Sequence, residues 1–223
     1  MTVLGFDTST AATSACLLRA DGEAFESVPT PAELFGRPGH ARELLPRAAA
    51  VMERAGVGFG DLAAVAVGVG PGTFTGLRIG VATARGLAHA HGMELRPVSS
   101  LAALAAGIDA PLRLALIDAR RGELFGALHD EAGERWEEFV AAPEALAGRV
   151  HELDDRPLAA GDGAVRFREL LEAAGVRVAP DEAEAHAVRA LHVCRLAATA
   201  QPVAPEAVLP NYLRAPDAIP RQA

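Results

Sequence analysis

Residues Val65–Ala88 read VAVGVGPGTFTGLRIGVATARGLA, and the order of residue types along them sets the architecture. An apolar run holding Gly68 and Gly70 stops at Pro71-Gly72, and an apolar pattern of helical period opens at Thr73. The stretch is therefore a buried strand, a tight turn and a helix. The start of a helix offers unpaired N–H groups and the positive end of its dipole, and glycine admits a ligand or another backbone. Gly70, Gly72 and Thr73 are thus candidates for holding a phosphate. The usual phosphate signatures do not fit, since no Lys follows the glycines and Gly70-Pro71-Gly72 does not continue as G-x-G-x-x-G.

The helix carries a second pattern. Gly72, Gly76, Gly80, Ala84 and Ala88 recur at every fourth residue and place small side chains along one slowly drifting ridge. Each Gly inside a helix costs about 1 kcal/mol against Ala, so Gly76 and Gly80 require a compensating close contact. That contact is close packing, as by another helix, or else the approach of a ligand.

The 223 residues suffice for one large domain or two small ones. Half of them are hydrophobic and few are aromatic, which predicts an aliphatic, Ala-rich core. Net charge is -8 and every basic side chain apart from histidine is Arg, so the chain alone lacks the broad basic surface of a principal nucleic-acid binder, while a local Arg patch stays open. Cys16 and Cys194 have no C-x-x-C spacing and read as buried thiols. The opening MTVLGFD carries neither a basic leader nor a signal-like segment, and no run approaches the roughly 20 apolar residues of a membrane span, so cytoplasmic residence is the expectation.

Strands are predicted at Val3–Phe6, Ala12–Leu18 and Glu23–Val28, the last two joined by an Asp21-Gly22 turn. A loop to Gly39 precedes a helix over Ala41–Ala55 that Pro46 should bend or interrupt. After the strand near Leu62–Val69 and the small-ridged helix come a strand at Glu94–Val98 and a helix over Ser99–Ala106, giving βββαβαβα. Leu112–Asp118, Glu123–His129 and Arg135–Phe139 start the same order again, and a helix near Pro143–Gly148, a strand near Leu158–Ala160, a helix to Ala174, a strand near Val176–Val178 and a helix over Ala185–Ala200 continue it. The boundary is placed so that residues 1–108 form the first domain and 109–223 a shortened second one. The Pro-rich tail after Pro202 is expected to wrap back over the surface.

Asp7-Thr8-Ser9 lies where the first strand turns into the second. A carboxylate beside hydroxyls can hold phosphate and a metal-bound water, or can simply close an Asx or Ser/Thr turn. Asp118-Ala119-Arg120-Arg121 poses the same choice between a ligand site and a charged turn. None of the seven histidines pairs at metal-binding spacing on a helix, and neither a G-x-S-x-G elbow nor a Cys–His arrangement supports nucleophilic catalysis.

Taken together, Leu4–Thr10 (LGFDTST), His40–Pro46 (HARELLP), Gly68–Gly80 (GVGPGTFTGLRIG), Val98–Leu104 (VSSLAAL), Ile117–Arg120 (IDAR), Gly161–Ala164 (GDGA) and Tyr212–Arg214 (YLR) resemble the TsaB (YeaZ) family over nearly the whole chain. The resemblance implies an α/β actin-like ATPase fold (ASKHA, RNase H-like) of paired βββαβαβα domains. It further implies a non-catalytic scaffold in tRNA modification. Such a subunit pairs with TsaD, lets the ATPase TsaE join, and supports threonylcarbamoyl transfer to the adenosine beside the anticodon, reaching tRNA through the complex. No cofactor is implied for this chain, with ATP used on TsaE and metal held by TsaD. The metal-binding H-x-x-x-H pair of TsaD falls here at Ser100 and Leu104, neither a strong ligand. The resemblance puts the pairing surface on helices of the first domain, which fits the Gly72, Gly76, Gly80, Ala84 and Ala88 ridge with Arg78 and Arg85 at its rim; a homodimer through the same helices is the expectation for the isolated chain. The alternatives are an actin-fold ATPase or kinase acting alone and, more remotely, a peptidase.

Overall fold

The structure, a computed structural model, describes residues 1–214; the last part of the tail, residues 215–223, lies outside the described residues. The first sheet holds β1 (Val3–Asp7), β2 (Ser14–Leu18), β3 (Ala24–Ser27), β4 (Ala64–Gly68) and β5 (Glu94–Val98) in the order β3-β2-β1-β4-β5. The second holds β6 (Arg113–Arg120), β7 (Glu123–Asp130), β8 (Gly133–Ala141), β9 (Leu158–Ala160) and β10 (Arg177–Val178) in the order β10-β9-β6-β7-β8. Read from either first strand the plan is the same: two antiparallel strands to one side and two parallel strands to the other. The parallel partners are reached through helices, as parallel pairing demands.

The helices are α1 (Pro31–Leu34), α2 (His40–Ala55), α3 (Phe74–His91), α4 (Ser100–Ala106), α5 (Pro143–His151), α6 (Asp162–Arg166), α7 (Arg168–Ala173) and α8 (Ala190–Ala197). Alternation along the strands assigns them to layers. Leu4 and Phe6 of β1 join Leu44, Ala48 and Val51 of α2 and Val81, Ala84 and Ala88 of α3. Val3 and Cys16 face the other way, into a core shared with Leu101 and Leu104 of α4, Val193 and Cys194 of α8, and Ala115, Ile117 and Ala127 of the second sheet. Leu114, Leu116 and Leu124 fill the outer side under α5 and α7. The layers therefore run α2/α3, first sheet, α4/α8, second sheet, α5–α7.

Several local expectations are corrected. Pro46 does not interrupt α2, which runs from His40 to Ala55; Pro46 is exposed, so the Arg42 carbonyl that loses its helical partner is on the side open to water. The helix expected to run to Ala174 splits at Phe167 into α6 and α7, and the one from Ala185 begins as a 3₁₀ turn before α8. Ser99 caps α4 by accepting from the Ala102 N–H at 3.0 Å. The chain does not divide cleanly at 108, because α8 returns to pack on β1 and β2. The tail follows it: Val203 bridges Leu95, the Asn211 N–H donates to the Val69 carbonyl at 2.7 Å, and Tyr212 stacks on Phe74.

Candidate functional site

The turn after β1 is built around a buried carboxylate. Asp7, 1% exposed, accepts from the Ser9 N–H and hydroxyl on Oδ1 at 2.7 and 2.6 Å and from the Ser100 hydroxyl on Oδ2 at 2.7 Å. Burial pushes its pKa up, and the Ser9 and Ser100 hydrogen bonds oppose that rise. Ser100 also accepts from the Gly70 N–H at 3.1 Å, and its own N–H donates to the Gly70 carbonyl at 2.8 Å. Thr8 donates to the Gly76 carbonyl at 2.8 Å, and the Thr73 N–H donates to the Ser9 carbonyl at 2.7 Å. His40, at the start of α2, completes the ring. Its Nε2 lies 3.1 Å from the Thr10 carbonyl, an acceptor only, so Nε2 carries the proton and Nδ1 accepts from the Thr13 hydroxyl at 2.8 Å. Burial lowers the pKa of His40, consistent with this neutral form.

These bonds decide the alternatives at Asp7, Thr8, Ser9, Gly70, Gly72 and Thr73. The structure brings all six residues together, but against one another, with the hydroxyls of Thr8 and Ser9 and the N–H groups of Gly70 and Thr73 already committed. A Cβ on Gly72 would overlap Ser9. The expected phosphate cradle is thus a turn closed by its own hydrogen bonds.

The ridge on α3 is corrected in the same way. A Cβ on Gly76 would overlap the Thr8 carbonyl and one on Gly80 would overlap the Thr8 hydroxyl, while Ala84 and Ala88 are buried in the core beneath α3. Gly72, Gly76, Gly80, Ala84 and Ala88 therefore pack on this chain and present nothing to a partner. What α3 turns outward is a second small row, Ala82, Gly86 and Ala90, together with Phe74 and Arg78, with Arg85 half-buried beside them. Arg78 lies over the Phe74 ring and donates to the Tyr212 hydroxyl. A groove of about 450 Å³ between Arg78, Ala82, Arg85 and Pro210 runs along this side.

The corresponding turn of the second sheet is open. Asp118 accepts on Oδ2 from Arg120 at 3.1 Å and Arg166 at 2.9 Å, and on Oδ1 from the Arg120 N–H at 2.8 Å. Its own N–H donates to Asp162 Oδ1 at 3.0 Å. Burial, against the opposing hydrogen bond from the Asp118 N–H, raises the Asp162 pKa to about 6. Arg120 and Arg121 both have left-handed φ, 64° and 57°, as the tight turn joining β6 to β7 requires. A cavity of about 340 Å³ lies between the domains, bounded by Phe35, Asp118, Arg120, Asp162 and Arg166. Arg120 also lines a second cavity of about 500 Å³ with His40, Arg42, Thr73 and Phe74. Nothing in the sequence pairs Arg120 with Arg166; only the fold brings them onto one carboxylate.

Ser100 and Leu104 are committed as well, Ser100 to Asp7 and Leu104 to the shared core. Among the described residues no group of three His, Cys, Asp or Glu side chains could hold a metal. The donor set does not fit the metal pair of the transferase subunit.

Comparison with known proteins places this geometry. The family model described as TsaD, tRNA N6-adenosine threonylcarbamoyltransferase, matches residues 35–171. The tRNA threonylcarbamoyladenosine biosynthesis protein TsaB of Escherichia coli K12 is 33% identical over 96% of this chain and 95% of its own length. The chain belongs to the TsaB (YeaZ) family. The structure of YeaZ from Pseudomonas aeruginosa aligns at TM-score 0.77 with 31% identity over 95% of this chain and 99% of that one. An inorganic polyphosphate/ATP-glucomannokinase from Arthrobacter, 12% identical at TM-score 0.50 over 88% of this chain and 98% of that one, shares the fold alone. The fold is the actin-like ATPase fold, and family membership gives the chain a role in tRNA threonylcarbamoyladenosine biosynthesis. No helix among the described residues is long and apolar enough to cross a membrane.

Proposed function

We propose that this chain is a non-catalytic pairing subunit that joins a TsaD-type transferase and lets a TsaE-type ATPase assemble with the pair. Threonylcarbamoyl transfer to tRNA then takes place on the partner, which holds the metal, with ATP used by the ATPase. The observation that carries this reading is the contrast between the two turns and the outer side of α3. The first turn spends the Thr8 and Ser9 hydroxyls and the Ser9, Gly70 and Thr73 N–H groups on closing itself, so these are not at hand to orient a water or a phosphoryl group, as catalysis of that kind requires. The outer side of α3, by contrast, is small at Ala82 and Gly86 and grooved beside Arg78 and Arg85, a surface on which a partner helix can approach closely.

The deciding test is formation of threonylcarbamoyladenosine on unmodified tRNA by purified TsaD and TsaE with a threonylcarbamoyl-adenylate source, with and without this chain. Product only when the chain is added, and none from the chain without TsaD, is the expected result. Product independent of the chain would overturn the reading. Replacing Ala82 with Arg is expected to weaken capture of TsaD by at least about tenfold with folding unchanged, since the position is exposed and lines the groove.

A further inference from the structure

The two cavities that share Arg120 bring three arginines and two exposed phenylalanines together on this acidic chain. Arg42 and Arg120 line the larger cavity, and Arg120 and Arg166 the smaller. The Arg42 side chain is exposed and makes no hydrogen bond or ion pair among the described residues. Arg120 and Arg166 are half exposed and are held by the same oxygen of Asp118. Phe35, 54% exposed, borders one cavity, and Phe74, 41% exposed, borders the other. Arg37 lies in the loop between Phe35 and Arg42 and is also exposed.

We propose that this interdomain groove binds a single-stranded RNA segment, with phosphates on Arg42, Arg120 and Arg166 and an unpaired base against Phe35. Charge complementarity selects this occupant. The guanidiniums stand on the rim while Asp118 and Asp162 form the floor, so phosphates are favoured outside and repelled inside. The floor carboxylates instead accept hydrogen bonds from exocyclic amines of bases that point inward. Phosphate-tracking cations beside an aromatic platform are what single-stranded nucleic acid requires. The two cavities lie on either side of Arg120, so one guanidinium borders both, which favours a strand over a free mononucleotide. The proposal rests on the reading above only in taking RNA as the polyanion at hand. It adds a direct contact from this subunit, which net charge alone argues against.

The test is fluorescence anisotropy of a labelled 12-nucleotide single-stranded RNA titrated with the full chain between 50 and 200 mM salt. Binding is expected to weaken with salt with a log–log slope of about -2, three phosphates contributing about 0.7 each. Arg42→Glu combined with Arg120→Glu is expected to lower affinity at least about tenfold and flatten the slope by about 1.4. Arg177→Glu, exposed on β10 and lining neither cavity, carries the same kind of charge change and is expected to leave binding nearly unchanged. Arg42→Glu alone guards against misfolding at the left-handed Arg120, and Phe35→Ala is expected to reduce affinity several-fold without altering the slope. No binding at 50 mM salt, equal losses from Arg42→Glu and Arg177→Glu, or displacement of the RNA by micromolar AMP would overturn the proposal. Running the threonylcarbamoyl assay with Arg42→Glu separates the two readings. If the chain is required but this variant binds RNA and supports product like the unaltered chain, the groove proposal fails alone. If the chain binds RNA here yet is not required for product, the pairing reading fails alone.

Discussion

Asp7 and Asp118 occupy matching stations, each at or beside the end of the first strand of a three-stranded meander, and the two halves of the chain treat them in opposite ways. Asp7 is met by the neutral hydroxyls of Ser9 and Ser100 and covered by the first turn of α3. Asp118 is met by two guanidiniums that remain half in solvent. A turn carboxylate neutralised by hydroxyls becomes a brace for the surrounding backbone. One neutralised by half-exposed guanidiniums keeps charge available at the surface, and the cavity lies beside it.

The sharpest way to break this comparison is to force α3 off the first turn. Gly76→Leu places a side chain onto the Thr8 carbonyl and is expected to cost more than about 4 kcal/mol, most of a domain's stability. Gly86→Ala on the same helix meets open space and is expected to raise the melting temperature by about 2–4 °C. Circular dichroism melts of both variants measure the contrast, and similar losses would contradict the assignment of the ridge to internal packing. Next in size are the carboxylates themselves. Asp7→Ala strands the Ser9 N–H and the buried Ser100 hydroxyl and should cost about 3 kcal/mol in urea unfolding, whereas Asp118→Ala, releasing two half-exposed arginines, should cost about 1.

An effect of the same small order as the Asp118→Ala loss is in pH. The folded pKa of Asp162 is about 6, above its ordinary value of 3.8, so the folded state binds more protons than the unfolded state between these values. Its contribution is therefore full below about pH 4 and is lost as pH rises through 6, a change of about 1–2 kcal/mol after relaxation. Asp162→Asn should remove that loss in melts taken from pH 4 to 7.5. His40, whose folded pKa is lowered, has the opposite sign, with its stability present above 6.5 and lost as pH falls below it.

Much of the fold is legible in the residues, because strands and helices announce themselves by period. Glu94–Val98 and Leu158–Ala160 are found where alternation and apolar runs place them. What the small ridge faces is not legible. Helix α3 carries two small rows, and only the position of Thr8, far away in sequence, decides that the Gly76 row is inside and the Ala82 row outside. Hydroxyls in a turn are equally silent about whether they await a ligand or each other; Ser100 and His40 answer that for Asp7 and Thr13, from other segments of the chain. The second turn reads in sequence as either a ligand site or a charged turn, and the cavity beside it is bounded by Arg166, which no local pattern joins to Asp118.

The two sheets hold one set of apolar side chains in common, with α4 and α8 between them. Opening the halves like a book would expose Leu101, Leu104, Val193 and Ile117 to water at once, each at about 1.5–3 kcal/mol for its full burial. The chain is accordingly expected to unfold as a single cooperative unit with two lobes, and a one-step thermal melt would check this.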